Sequence, residues 1–167
     1  MMQSKDSTIV WLRDVQIYQN GQAVLTNVNL KITKGEFVYL IGKTGSGKSS
    51  LLKTLYAGLP FGEGKGRVGG FDLAKLNRKT IPHLRRKLGI VFQDFNLLED
   101  RTIKQNLEFT LLATGWKDGK KMDRQIAEVL QKVDVVGKEH KKPHELSGGE
   151  QQRVVIARSL LNYPELI

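Results

Sequence analysis

The chain has 167 residues, 40% of them hydrophobic and 26% charged, with a net charge of +10 and no cysteine. That length suffices for one domain with its own core, and the lack of cysteine excludes disulfides, thiolate metal sites and a thiol nucleophile. No stretch nears the ~20 apolar residues that span a bilayer, and the polar stretch Met1 to Thr8 lacks the apolar centre of a signal peptide. The positive balance suggests an anionic partner: a nucleotide, an anionic lipid surface or a nucleic acid. A merely solvated basic surface is the plain alternative. The cations are dispersed, as in Arg85-Arg86-Lys87 and Lys120-Lys121. No aromatic-interleaved basic stripe of the kind that stacks bases is found, so no nucleic acid is expected.

Ile9 to Tyr18 alternates imperfectly and reads as a strand. Asn20-Gly21 is a hairpin signal, and Ala23–Leu25 and Val28–Ile32 continue the β-rich opening. Tyr18 could stack on a purine ring or simply pack on its sheet; the residues alone leave both open. Phe37 to Ile41 is an unbroken apolar run that reads as a strand buried on both faces. Gly42-Lys43-Thr44-Gly45-Ser46-Gly47-Lys48-Ser49 follows, matching the P-loop pattern G-x-x-x-x-G-K-[ST]. Its glycines let several N–H groups converge on one anion, and the helix expected over Lys48–Tyr56 adds its positive end. Lys48 supplies a point charge to β- and γ-phosphates, and the Ser49 hydroxyl suits Mg²⁺.

A glycine-rich turn spans Gly58 to Gly66, and Val68–Leu73 reads as a strand or hairpin arm. Ile81–Lys87 is a short helix with proline in its first turn. Gly89–Phe92 reads as a second buried strand ending at Gln93. A glutamine there is placed to reach a metal or an attacking water, or is a plain surface amide. Arg101–Leu112 is a helix opened by the capping box Thr102-x-x-Gln105. Met122–Val133 is amphipathic, and Val135–Pro143 is a basic connection. Ser147-x-x-Glu150 is a second capping box, starting a helix to about Asn162. Gly148 and Gly149 bare N–H groups at that start, beside the Ser147 hydroxyl, which offers a second anion site.

Leu146-Ser147-Gly148-Gly149-Glu150-Gln151-Gln152-Arg153 resembles the signature motif of ABC-type ATPases. With Tyr18, the P-loop and Gln93 it stands in that family's order across the whole chain. The resemblance implies an α/β fold, a P-loop NTPase with a RecA-like core, an antiparallel β-subdomain and a helical subdomain. It makes the chain a single ATP-binding domain, with β-subdomain and P-loop core over residues 1–100, a helical insert over 101–145 and the signature helix over 146–167. ATP and Mg²⁺ are the implied cofactors, and the implied assembly is a head-to-tail homodimer with each ATP between one P-loop and the other chain's signature. The implied nucleotide contacts are Tyr18, Gly42, Lys43, Thr44, Gly45, Ser46, Gly47, Lys48, Ser49 and Ser50 on one side. On the other they are Ser147, Gly148, Gly149 and Gln151. Lys48 and Gln93 carry the catalytic roles, and Ser49 and Gln93 the metal.

Within that family, Pro82 to Asp94 and Leu97 to Thr102 are similar to the FtsE-type cell-division ATPases. This implies a peripheral protein on the cytoplasmic face of the bacterial inner membrane, held by an integral, permease-like FtsX-like partner. ATPases of lipoprotein release and macrolide export share much of the pattern, and a nucleotide-binding fragment that never hydrolyses is a reading from another class. The family pattern continues past Pro164-Glu165-Leu166-Ile167 into a strand ending in an aspartate and a glutamate general base. Neither is in this sequence, so the resemblance implies a truncated cassette that binds ATP without turnover.

Overall fold

A two-residue turn with both residues in the left-handed region, Asn20 (φ 51°) and Gly21 (φ 77°), folds the opening of the chain into a hairpin. Such turns match the right-handed twist of the strands they join. The hairpin consists of β1 (Thr8–Gln19) and β2 (Gln22–Thr33), paired antiparallel. The computed structural model describes residues 7–167; most of the polar Met1–Thr8 stretch therefore lies outside the described residues. In β1 the buried Val10, Leu12, Val15 and Ile17 face one side. Between Leu12 and Val15 the register shifts, with Asp14 at φ 52° and its N–H donating to Asn29 Oδ1 at 3.1 Å. This bulge is the reason the alternation read along the sequence is imperfect.

β3 (Lys65–Val68) pairs with the other edge of β1 and turns through Gly69-Gly70 into β4 (Phe71–Asp72). The sheet runs β2-β1-β3-β4, antiparallel throughout. Leu51 and Leu55 of α1 (Lys48–Leu55) join the core that the sheet's inner residues form. Past the end of α1, Arg85 of α2 (Ile81–Arg86) donates from Nε to Tyr56 O at 3.0 Å and from Nη2 to Ala57 O at 2.9 Å. A guanidinium there satisfies carbonyls that have no helical donor.

The chain divides into two compact units, residues 7–88 with Leu166 and residues 89–165 with Ile167. The second is helical: α3 (Ile103–Ala113), α4 (Gly119–Lys132) and α5 (Gly148–Leu160). Leu107, Leu111, Ile126, Leu130, Val154 and Val155 are among the buried residues of its core. Both capping boxes read from the sequence are formed, Thr102 with Gln105 and Ser147 with Glu150.

Two expected strands do not form. Residues 36–43 carry no β pairing among the described residues, and Phe37 and Ile41 are 82% and 88% exposed. Phe37 and Tyr39 instead meet edge to face with ring centroids 5.0 Å apart. Residues 89–92 likewise form no strand among the described residues, with one isolated parallel bridge, Leu88 to Leu166, just before them. A strand buried on both faces exists only with neighbours on both edges. Neither segment has them among the described residues, and apolar character does not supply a hydrogen-bond ladder.

Asn106, 3% exposed, ties the 98–102 turn to α3. Its Oδ1 accepts from Leu98 N at 2.7 Å, and its Nδ2 donates to the carbonyls of Leu98, Arg101 and Thr102. Asn106→Leu leaves the Leu98 N–H without its acceptor, and we expect it to lower stability by about 1–3 kcal/mol. Urea unfolding midpoints of the two chains measure this.

Candidate functional site

The loop from Gly42 to Ser49 is shaped by steric demands that only glycine meets. Gly45 and Gly47 hold φ of 80° and 86°. A Cβ on Gly47 would lie 2.8 Å from Leu25 Cγ and 3.1 Å from Val24 Cγ1, and one on Gly42 would lie 2.7 Å from Ser46 Oγ. The loop therefore packs against β2 at a distance that admits no side chain. Ser46 N–H closes a turn onto Lys43 O at 3.1 Å, and Leu51 N–H makes a first helical bond of α1 to Gly47 O at 2.9 Å. No side chain caps this helix start, so the N–H groups of its first turn have no intrahelical acceptor. Lys48 Nζ curls back into the loop and donates to Gly42 O and Lys43 O, both at 2.7 Å. Bare N–H groups, a positive helix end and an ammonium at one loop make an anion site.

Ser49, in the first turn of α1, is exposed. Ser50 is not: its side chain turns inward and Oγ donates to Gln19 Oε1 of β1 at 2.9 Å. The Ser50 hydroxyl thus fastens α1 to the end of the hairpin. Gln19 was not expected to matter, and only its place beside Tyr18 hinted at it. Tyr18 is half-buried, with its OH donating to Gln16 Oε1 at 2.8 Å and 3.4 Å from Glu63 Oε1. A Cβ on Gly62 would lie 3.0 Å from Tyr18 Cδ2, so the ring is backed by the glycine-rich turn. Tyr18, Gln19 and the phosphate loop thus belong to one unit.

Gln93 and the signature residues belong to the other. Gln93 is exposed in a bend, not at the end of a strand. The chain that follows it is fastened to α5: Arg158 donates from Nη1 to Asn96 O at 2.6 Å and from Nη2 to Phe95 O at 2.8 Å. Sequence reasoning missed Arg158, which looked like one more charge on a helix. At the start of α5, Ser147 N–H donates to Glu150 Oε2 at 2.8 Å and Ser147 Oγ to the same oxygen at 3.0 Å. Glu150 N–H returns a bond to Ser147 Oγ at 3.4 Å. Lys138 from the basic connection pairs with the Glu150 carboxylate. Gly148 and Gly149 are exposed and leave the helix start uncovered. Gln151 was expected to face a γ-phosphate; here its Nε2 donates to Leu146 O at 3.2 Å, folding the amide back onto its own connection.

The chain matches the family model described as ABC transporter over residues 25–167. It belongs to the ABC transporter family. The enzyme class of its relatives is that of the ABC ATPases. The chain is 40% identical to the cell division ATP-binding protein FtsE of Streptococcus pneumoniae, covering 96% of this chain and 70% of that one. It is 44% identical to FtsE of Mycobacterium tuberculosis over 89% of this chain and 64% of that one. Among solved structures it resembles the dimeric ABC transporter cassette MJ0796, with a TM-score of 0.80 and 35% identity over 93% of this chain and 70% of that one. The ABC cassette fold expected from the sequence is thus the fold observed. The chain spans between 64% and 70% of the length of these proteins.

Two outcomes follow from this geometry. The Lys138 side chain first, and the Ser147 N–H and hydroxyl after it, hold the Glu150 carboxyl down to about 2 from its usual 4.5. A folded-state value below the unfolded one stabilises the cap above pH 4.5 and loses that contribution as pH falls toward 2. We expect carbon-detected NMR titration of Glu150 to show ionisation well below 4.5, and Lys138→Met to move it back up. We further expect Gly47→Ala to destabilise the loop by at least about 1–3 kcal/mol through strain at positive φ and contact with Leu25. Thermal denaturation of that variant is the measurement.

Proposed function

We propose that the chain binds ATP at the Gly42–Ser49 loop and serves as the ATP-binding subunit of a bacterial membrane ABC complex, of the FtsE-like cell-division type. The observation that carries the nucleotide reading is the uncapped start of α1 with Lys48 Nζ held at the loop's mouth. These groups fit a polyphosphate: the glycines at 45 and 47 hold the backbone at positive φ, and the uncapped N–H groups of the helix start stand beside the Lys48 ammonium as donors to an anion. On binding, Lys48 exchanges its two carbonyl acceptors for phosphate oxygens, while the N–H groups of Lys48 and Ser49 orient the same phosphates.

The exposed Ser49 hydroxyl fits one position on a magnesium ion. Among the described residues no group of three or more His, Asp or Glu side chains gathers as a metal site. Oxygens of the nucleotide itself would then complete the coordination, which is how magnesium is commonly held beside phosphates. Bound Mg-ATP supplies the phosphoryl group. Tyr18, backed by Gly62 and fixed through its hydroxyl, presents a stacking surface for the base.

The start of α5 is a second place where N–H groups are uncovered, with Ser147, Gly148 and Gly149. In a head-to-tail homodimer it faces the γ-phosphate held by the partner's loop, and two anion sites then read one nucleotide from opposite sides. The dimeric MJ0796 cassette supports this reading. Gln93, which precedes the Phe95-Asn96 backbone that Arg158 fastens to α5, couples that helix to an FtsX-like membrane partner at the cytoplasmic face of the inner membrane. The similarity to two FtsE proteins supports the division assignment. Among the described residues no helix is long and apolar enough to cross a membrane, so attachment comes through the partner in this reading. A transport role is the second reading, favoured by the breadth of the matching family, which is described as ABC transporter.

Calorimetric titration with Mg-ATP and Mg-AMP tests the nucleotide site. We expect ATP to bind, AMP to bind far more weakly, and Lys48→Ala to lower ATP affinity by about tenfold or more, the loss of a charge-assisted contact worth about 1.5–3 kcal/mol. Equal affinity of the two nucleotides, or an unaffected Lys48→Ala chain, would overturn it.

A further inference from the structure

The charge of this chain is not shared between its halves. Residues 1–88 hold 15 of the 27 lysines and arginines but only 5 of the 17 acidic residues, while residues 89–167 hold 12 of each. The net +10 therefore belongs entirely to the half that forms the sheet and phosphate loop. Part of it is organised by strand register. On the sheet face opposite the core, Trp11 of β1 stands between Lys31 of β2 and Arg67 of β3. Two residues further along, Arg13 stands opposite Lys65. Thr8, Trp11, Lys31 and Arg67 line a shallow depression of about 360 Å³.

Three acids lie near this face: one pairs with Arg13 at its margin, and the other two are engaged elsewhere. Asp14 pairs with Arg13 at 3.7 Å. Asp72, opposite Arg67, accepts from Ala74 N–H at 3.1 Å and meets Lys75 at 3.7 Å. Glu36 accepts from Thr33 N–H at 3.0 Å; this bond lowers its pKa, with Lys31 a lesser cause. Among the described residues Lys31, Lys65 and Arg67 have no carboxylate within 4.0 Å, and the Trp11 indole N–H has no acceptor.

We propose that this face docks on an anionic lipid surface, with Trp11 at the headgroup level and Lys31, Lys65 and Arg67 against the lipid phosphates. An indole is apolar in body and polar at its N–H, which suits the boundary between headgroups and acyl chains. Cations around it add attraction to an anionic leaflet that falls away within a Debye length. A single-stranded nucleic acid fits less well. Stacking platforms use successive aromatics along a basic groove. Here Trp11 is one aromatic in its row, and Tyr18, further along β1, has its hydroxyl committed to Gln16 and lies beside the Glu63 carboxylate. The contact is separate from the nucleotide loop and holds whether or not a membrane protein also binds the chain.

The chain has two tryptophans, so Trp116→Phe leaves Trp11 as the sole indole emitter. The test is co-sedimentation with phosphatidylcholine vesicles, with and without phosphatidylglycerol, alongside Trp11 fluorescence. We expect binding only where phosphatidylglycerol is present, a blue-shifted Trp11 emission quenched by bromolipids, and weakening with added salt. The double change Lys31→Glu and Arg67→Glu should lower binding by about tenfold or more, with an unchanged circular dichroism spectrum showing that the sheet survives. Three results would overturn the proposal: no dependence on phosphatidylglycerol, undiminished binding by the folded double variant, or displacement from vesicles by a single-stranded oligonucleotide that binds through the same two cations.

Discussion

A helix leaves its first four N–H groups without intrahelical acceptors, and most helices cover them with a side chain. At Gly47 this chain places a residue that has none. Much in the first unit serves that omission. β2 presses Val24 and Leu25 against the point where a Cβ would sit. Ser50 locks the first turn to β1 through Gln19, and Arg85 secures the carbonyls beyond the far end of α1. The helix is held at both ends by neighbouring elements, so its positive terminus stays open without the helix fraying.

The second unit uses the same physics with a different solution. At α5 the cap is present, formed by Ser147 with Glu150 and tightened by Lys138. What remains open is the pair of glycines just inside it. The Lys138 pair keeps Glu150 ionised, and an ionised Glu150 accepts from both the N–H and the hydroxyl of Ser147. Arg158, two turns on, grips the backbone after Gln93. The signature segment and the glutamine segment are therefore parts of one fastened body, although over fifty residues separate them in sequence.

Local rules were legible in the sequence and non-local ones were not. Asn20-Gly21, the capping boxes at Thr102 and Ser147, and the glycine spacing of the phosphate loop each depend on neighbours within a few residues, and each formed. The strands expected at Phe37–Ile41 and Gly89–Phe92 depend on partners elsewhere in the chain. Apolar composition reports a preference for burial and carries no information about who supplies the ladder. The inward turn of Ser50 and the folding back of Gln151 are choices between equivalent polar contacts, decided by Gln19 and Leu146 at positions no motif specifies. Lys138 and Arg158 were visible only as charge. The dispersed basic composition likewise concealed a row, because Lys31, Trp11 and Arg67 become neighbours only once three strands are in register.

The open stretch Phe37–Ile41 ends one residue short of the phosphate cradle, with no flexible spacer between them. An uncharged, apolar segment without β pairing among the described residues offers its backbone N–H and C=O groups to an added strand. Any strand that laid itself along this segment would fix the dihedral angles leading into Gly42 and restrict the loop that follows. Pairing at residues 37–41 and anion capture at residues 42–49 would then share one conformational entropy, so that each strengthens the other by the same factor. The stem of the loop is thus a place where a change in the sheet could be felt as a change in nucleotide affinity, without any residue of the cradle being touched.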